Sequence, residues 1–175
     1  MSDDIVWLAM RKYVIFDLDL TLVDTTPAEI YRSKRDWSGA YSVLPQCTLY
    51  DGLQRVFDII RTNGIKTCIV STSPRTYVEK VIKQFNIPVD YIVAYHDAKP
   101  IKPHPAPMLK ALDLLQCKAS EAISFGDRVI DISSSNAAGI ESVACFWGTK
   151  EKAELLKSGY SHAIITPGEI LTLIR

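Results

Sequence analysis

Asp17 and Asp19 stand two positions apart at the end of an apolar run, Tyr13-Val14-Ile15-Phe16. In extended backbone, residues i and i+2 project to the same side, so both carboxylates would face one crevice. Two such charges about 4 Å apart, at an effective dielectric near 20, repel by about 4 kcal/mol, so the pair persists only with a cation or a proton between them. A hard divalent metal suits carboxylate oxygens. Three more polar sets follow apolar runs further along: Ser71 and Thr72 after Thr67 to Val70, Lys102 in the proline-rich loop after Tyr91 to Tyr95, and Asp127 with Asp131 after Ala122 to Phe125.

The surrounding pattern is one of strands alternating with helices. Tyr13 to Phe16 reads as a strand buried on both faces, the kind found inside a parallel sheet. Thr26-Pro27-Ala28-Glu29 starts a helix running to about Ser38, with Thr26 as cap and Glu29 completing a capping box; Ser42 to Leu49 reads as loop. Gly52 opens a core helix through Leu53, Val56, Phe57 and Ile60, and Gly64 closes it. After strand Thr67 to Val70, Ser73 caps and Pro74 starts a helix carrying Val78, Val81, Ile82 and Phe85. The unit repeats as strand Tyr91 to Tyr95 with a helix to Gln116, and as strand Ala122 to Phe125 with a helix to Ala138. Strand Ser142 to Phe146, helix Lys150 to Lys157, strand His162 to Ile165 and a helix from Thr166 to Ile174 complete the chain. This alternation predicts an α/β fold, a doubly wound parallel sheet with right-handed crossovers and its ligand site at the strands' carboxyl ends.

At 175 residues the chain is long enough to bury one core and is read as a single domain, 1–175. Twenty basic and twenty acidic residues cancel, so no global field indicates nucleic acid or an anionic membrane. Met1 to Met10 has too short an apolar stretch for a signal peptide or a membrane span, which makes a cytoplasmic protein the simplest expectation. Cys47, Cys68, Cys117 and Cys145 show no C-x-x-C spacing and read as reduced thiols.

Taken in order, D-x-D-x-T, a hydroxyl after a strand, K-P, and G-D-x-x-x-D, the sequence resembles the haloacid dehalogenase (HAD) superfamily of phosphatases, over nearly the whole chain. Leu20 stands where glycine is frequent in that family and is taken as a harmless departure. The resemblance implies a Mg2+-dependent phosphomonoesterase with a Rossmann-like core. Asp17 would attack phosphorus and form an aspartyl-phosphate; Asp19 would protonate the leaving alcohol and then activate water. Asp17, the Asp19 carbonyl and Asp127 would hold the metal, with Asp131 ligating it or orienting a bound water. Ser71, the Thr72 amide and Lys102 would bind the phosphoryl oxygens. Lys99 also precedes a proline and rivals Lys102, the latter being closer to the family pattern.

Each of these residues has a plainer reading. D-x-D can be a solvated turn, Ser71 a turn residue, and Asp127 an N-cap. Arg75 and Arg128 read as surface ion pairs, His96 and His104 as solvated, and His162 as structural. HAD phosphatases commonly insert a cap after the first motif, and a four-helix cap needs over about 50 residues. Residues 27–49 hold only a vestigial cap or insert, implying an open site accepting small molecules, phosphoproteins or nucleic-acid ends, or one covered by a homodimer partner. Two other classes share the composition: a receiver-like phospho-acceptor that does not turn over, and a silent HAD fold that only binds.

Overall fold

The computed structural model describes residues 11–174; the reading of Met1 to Met10 lies outside them. The sheet has six parallel strands: β1 (Tyr13–Phe16), β4 (Lys66–Val70), β5 (Tyr91–Val93), β6 (Ala122–Gly126), β7 (Glu141–Cys145) and β8 (His162–Ile164), in the order β5-β4-β1-β6-β7-β8. The chain winds from β1 outward through β4 and β5, then returns to β6 and winds the other way. The order therefore reverses beside β1, and the crevice at that reversal is where a doubly wound sheet binds its ligand.

Both faces are covered, which is why β1 is apolar without alternation. Val14 and Phe16 pack with α3 (Leu53–Thr62), α4 (Arg75–Phe85) and α8 (Ile170–Ile174), whereas Ile15 faces α5 (Ala106–Leu115) through Met108, Ala111 and Leu112. Phe16 stacks on Phe125 of β6 with ring centroids 5.3 Å apart, worth about 0.5–1.5 kcal/mol beyond area burial. Helices α6 (Val129–Ala137) and α7 (Lys152–Leu155) flank β7, with Ile132 and Leu155 against Ala144.

The segment after β1 departs from the sequence expectations. One helix to Ser38 is instead two, α1 (Thr26–Ser33) and α2 (Trp37–Ser42), broken where Arg35 takes a left-handed φ of 56°. The capping box does not form: Thr25 is the N-cap, Asp24 Oδ1 accepts from the Thr26 N–H at 3.0 Å, and Glu29 pairs with Lys150. The expected loop from Ser42 contains a short turn of helix at Leu44–Gln46 and β3 (Thr48–Leu49), which pairs antiparallel with β2 (Val23–Asp24). This pairing closes the stem of the insert. Its base is clasped by the loop after β7, where Trp147 Nε1 donates to the Thr21 carbonyl at 2.9 Å and its ring meets Tyr50 edge-on. A Cβ on Gly148 would lie 2.0 Å from the Leu20 carbonyl oxygen, so only glycine fits. Leu20 itself sits at φ 66°, a conformation that costs an L side chain about 1–2 kcal/mol, so its departure from glycine is not harmless. The β5 and β8 strands and α7 are each shorter than expected.

Candidate active site

Asp17 continues β1 by one residue, its N–H donating to the Phe125 carbonyl at 2.9 Å, so its carboxylate emerges between β1 and β6. Asp127 follows β6 directly. Gly126 permits the approach of Asp131 from the first turn of α6, since a Cβ there would stand 2.4 Å from the Asp131 Cβ. Lys102 reaches in from the loop before α5, and its Nζ donates to Asp17 Oδ1 at 2.8 Å, Asp131 Oδ1 at 2.6 Å and the Val70 carbonyl at 2.9 Å. All four side chains are buried. Lys99, the rival, instead lies with its Nζ 3.8 Å from the Tyr95 ring centroid.

Three buried carboxylates against one ammonium leave excess negative charge, and the proton affinities follow from that. Burial, with Asp131 and Asp19 adding to it against the pull of Lys102, lifts Asp17 to about 7. Burial, then Asp17 and Asp131, lifts Asp127 to about 8. Burial alone would lower Lys102, but Asp131 and Asp17 outweigh it and hold the amine protonated. Carboxylate oxygens of Asp17, Asp127 and Asp131 lie within 4.8 Å of one another. Asp127 Oδ1 accepts from Thr21 Oγ1 at 2.8 Å, whereas its Oδ2 is buried without a partner. An orphaned acceptor beside two more carboxylates is a donor set that fits a hard divalent cation.

The Asp19 carboxylate is not part of that trio. Thr25 Oγ1 donates to its Oδ1 at 2.8 Å and Tyr77 Oη at 2.9 Å; Ser73 Oγ donates to Oδ2 at 3.1 Å, and Arg32 Nη1 pairs with Oδ1. Ser73 does not cap α4: the N-cap is Pro74, and no side-chain cap hydrogen bond forms. Ser71 is buried, with its Oγ accepting from the Ser73 N–H at 3.0 Å, while Thr72 lines the cavity. Neither Arg32 nor Tyr77 carries a sequence signal: Arg32 reads as the polar face of a helix and Tyr77 as core. The residues discounted on sequence do take structural roles: Arg75 pairs with Asp97, Arg128 with Glu151 and His162 with Glu141, while His104 Nδ1 accepts from the Ala106 N–H. All four cysteines are free thiols.

The cavity above these groups measures about 600 Å³. Glu29, Arg32, Ser33, Arg35 and Trp37 of the insert form one wall. Trp37 and Tyr41 hold that wall against Tyr77 of α4, with ring centroids 5.8 and 6.5 Å apart.

The family model of the haloacid dehalogenase-like hydrolases matches residues 32–145. Pyrophosphatase PpaX of Bacillus mycoides is 36% identical over 110 residues, 62% of this chain and 49% of its own. The chain spans between 49% and 58% of the length of the first curated relatives it matches. Among solved structures, a HAD-superfamily hydrolase from Geobacter sulfurreducens superposes with a TM-score of 0.73 at 19% identity, covering 93% of this chain and 98% of that one. CbbY from Rhodobacter sphaeroides, in complex with phosphate, gives 0.78 at 15% identity, with 92% and 96% covered.

Proposed function

The chain belongs to the haloacid dehalogenase-like hydrolases, and from that premise we propose that it is a Mg2+-dependent phosphomonoesterase working through an aspartyl-phosphate on Asp17. The observation that carries the reading is the buried quartet, in which Lys102 Nζ bonds both Asp17 and Asp131 and Asp127 Oδ2 lacks a partner. Asp17, Asp127 and the Asp19 backbone carbonyl would hold Mg2+, with Asp131 as direct ligand or through water. Bound there, the cation neutralises phosphoryl charge.

The chain's own groups do the rest. Asp17 attacks phosphorus as the bond to the leaving oxygen breaks, and Lys102 offsets the charge spread over the phosphoryl oxygens. The Thr72 amide and Ser71, with its turn, cradle those oxygens. Asp19 gives a proton to the leaving oxygen, then takes one from the water that cleaves the acyl-phosphate. Thr25, Tyr77 and Ser73 orient Asp19 for both steps.

We read residues 27–49 as a minimal cap. A cavity of about 600 Å³ is the size of a small-molecule pocket, which supports a small phosphorylated substrate over a phosphoprotein or a nucleic-acid end. The relatives' name adds pyrophosphate to the candidates. No helix among the described residues is long and apolar enough to cross a membrane; a cytoplasmic location remains our proposal. Incubation with p-nitrophenyl phosphate, with Mg2+ or with EDTA, tests the reading: metal-dependent release of phosphate is expected. Binding or a single phosphorylation without turnover would replace it with the phospho-acceptor or binding-module class.

A further inference from the structure

Lys102 acts from a loop, and few bonds hold that loop to the body. Residues 94–105 join β5 to α5, and Pro100, Pro103 and Pro105 have no N–H to offer a neighbour. The first half is fixed: the Tyr95 N–H donates to the Ser73 carbonyl at 3.0 Å, and Asp97 pairs with Arg75. The second half is not. Among the described residues, the hydrogen bonds that tie residues 98–104 to elements other than α5 are the three from Lys102 Nζ and one more, donated by Ser134 Oγ of α6 to the His104 carbonyl at 2.7 Å.

An ammonium has three N–H donors, and here Asp17, Asp131 and the Val70 carbonyl take all three, so contact with a phosphoryl oxygen requires one of them to be exchanged. Lys102 therefore cannot be its own anchor, and its flexible four-carbon stem leaves the position of Nζ dependent on the loop beneath it. The Ser134 bond has no such duty. It is neutral, Ser134 is 0% exposed, and Asp131 stands three positions before it on α6, so both side chains meet the loop from one face of the helix. The helix is tied to the sheet in turn: Ser124 Oγ of β6 donates to Ser135 Oγ at 2.7 Å, and Ser135 Oγ to the Asp131 carbonyl at 2.9 Å.

We propose that Ser134 is a positioning residue for Lys102: through the His104 carbonyl it holds the lysine's loop in register with Asp131 while the ammonium exchanges partners. This inference rests on the phosphatase reading and adds to it a residue that touches neither the phosphoryl group nor the carboxylate trio.

The test measures kcat/KM for p-nitrophenyl phosphate with Mg2+, and Ser142→Ala is the matched control. Ser142 is also 0% exposed and also donates at 2.7 Å, to Asn136 Oδ1 of α6, but it makes no bond to the Lys102 loop. Ser134→Ala should lower kcat/KM by about tenfold to 10²-fold, the scale on which a small displacement of a catalytic group is felt. Ser142→Ala should stay within about twofold of the wild type at a similar loss of melting temperature. In a Lys102→Ala background, Ser134→Ala should cost less than about twofold more, because the group it positions is gone. Losses that multiply in the double variant would make Ser134 a general support and overturn the inference, as would equal losses for Ser134→Ala and Ser142→Ala; both results leave the phosphatase reading intact. Absence of turnover by the wild type sinks both. Ser134→Cys, a weaker donor of nearly the same size, should fall between wild type and alanine, and it decides against Ser142→Ala if Ser134→Ala does not fold. If Lys102→Ala does not fold, the comparison of Ser134→Ala with Ser142→Ala decides.

Discussion

The floor of the cavity and its mouth are both built from ion pairs, yet they are physically unlike. On the floor, Asp17, Lys102, Asp127 and Asp131 are each 8% exposed or less; Asp17 and Asp127 stand at the ends of sheet strands, Asp131 in the first turn of α6, and Lys102 in the loop before α5. At the mouth, Lys150 and Glu29 are 50% and 42% exposed in their side chains, and Arg128 and Glu151 are 46% and 32%. Solvent screens such pairs and leaves them worth about 0–1 kcal/mol each, whereas a buried pair loses far more when one partner is removed. The proposed chemistry thus rests on groups that cannot rearrange cheaply, whereas the mouth is held by groups that can.

Substitutions that treat the two regions alike put this contrast at risk. Asp17→Asn should reduce turnover of p-nitrophenyl phosphate by on the order of 10³-fold or more with an unchanged circular dichroism spectrum; activity near wild type would remove Asp17 as nucleophile. Lys102→Ala should lower kcat/KM by roughly 10²-fold to 10³-fold and leave the buried carboxylates uncompensated, while Lys99→Ala stays within a few-fold. Equal losses for the two lysines would break the distinction drawn from their positions.

A pH titration of stability sharpens it further. Asp17 and Asp127 shift up from an ordinary 3.8 to about 7 and about 8, so the folded metal-free protein binds more protons than the unfolded chain between those limits. Its stability should therefore fall as pH rises from 4 to 8, and added Mg2+ should flatten the slope. Melting temperature against pH, with and without EDTA, checks the sign; a metal-free protein that gains stability across this window contradicts a floor short of positive charge. The smallest effect belongs to the mouth, where Glu29→Gln should change unfolding free energy by less than about 1 kcal/mol in a denaturant titration. A larger loss would make the mouth a structural element.

The contrast also governs how much was readable beforehand. Asp17, Lys102, Asp127 and Asp131 were legible because each follows an apolar strand or sits in the loop or first helical turn of a β-loop-α unit, so local pattern and topology together bring them to one crevice. The expectations failed where partners are remote or compete. Ser73 has the spacing of a helix cap, but the helix starts one residue later with Pro74 at the N-cap, and the Ser73 hydroxyl donates to Asp19 instead. Tyr77 and Arg32 meet at Asp19 from different helices, and Trp147 finds Thr21 across 126 positions of chain. The break between α1 and α2 was hidden because a left-handed arginine leaves no compositional mark.

One further consequence lies in the stem. Val23 pairs with Leu49 and Asp24 with Thr48, so the insert leaves and re-enters the body at neighbouring positions, with Trp147 and Gly148 holding the base. Lengthening a loop whose ends are already fixed costs only about 0.6 kcal/mol per doubling. The stem is therefore a splice point: a larger helical segment grafted between Asp24 and Thr48 would present a new wall to the cavity without moving a strand, making this chain a host into which substrate range can be exchanged as a cassette.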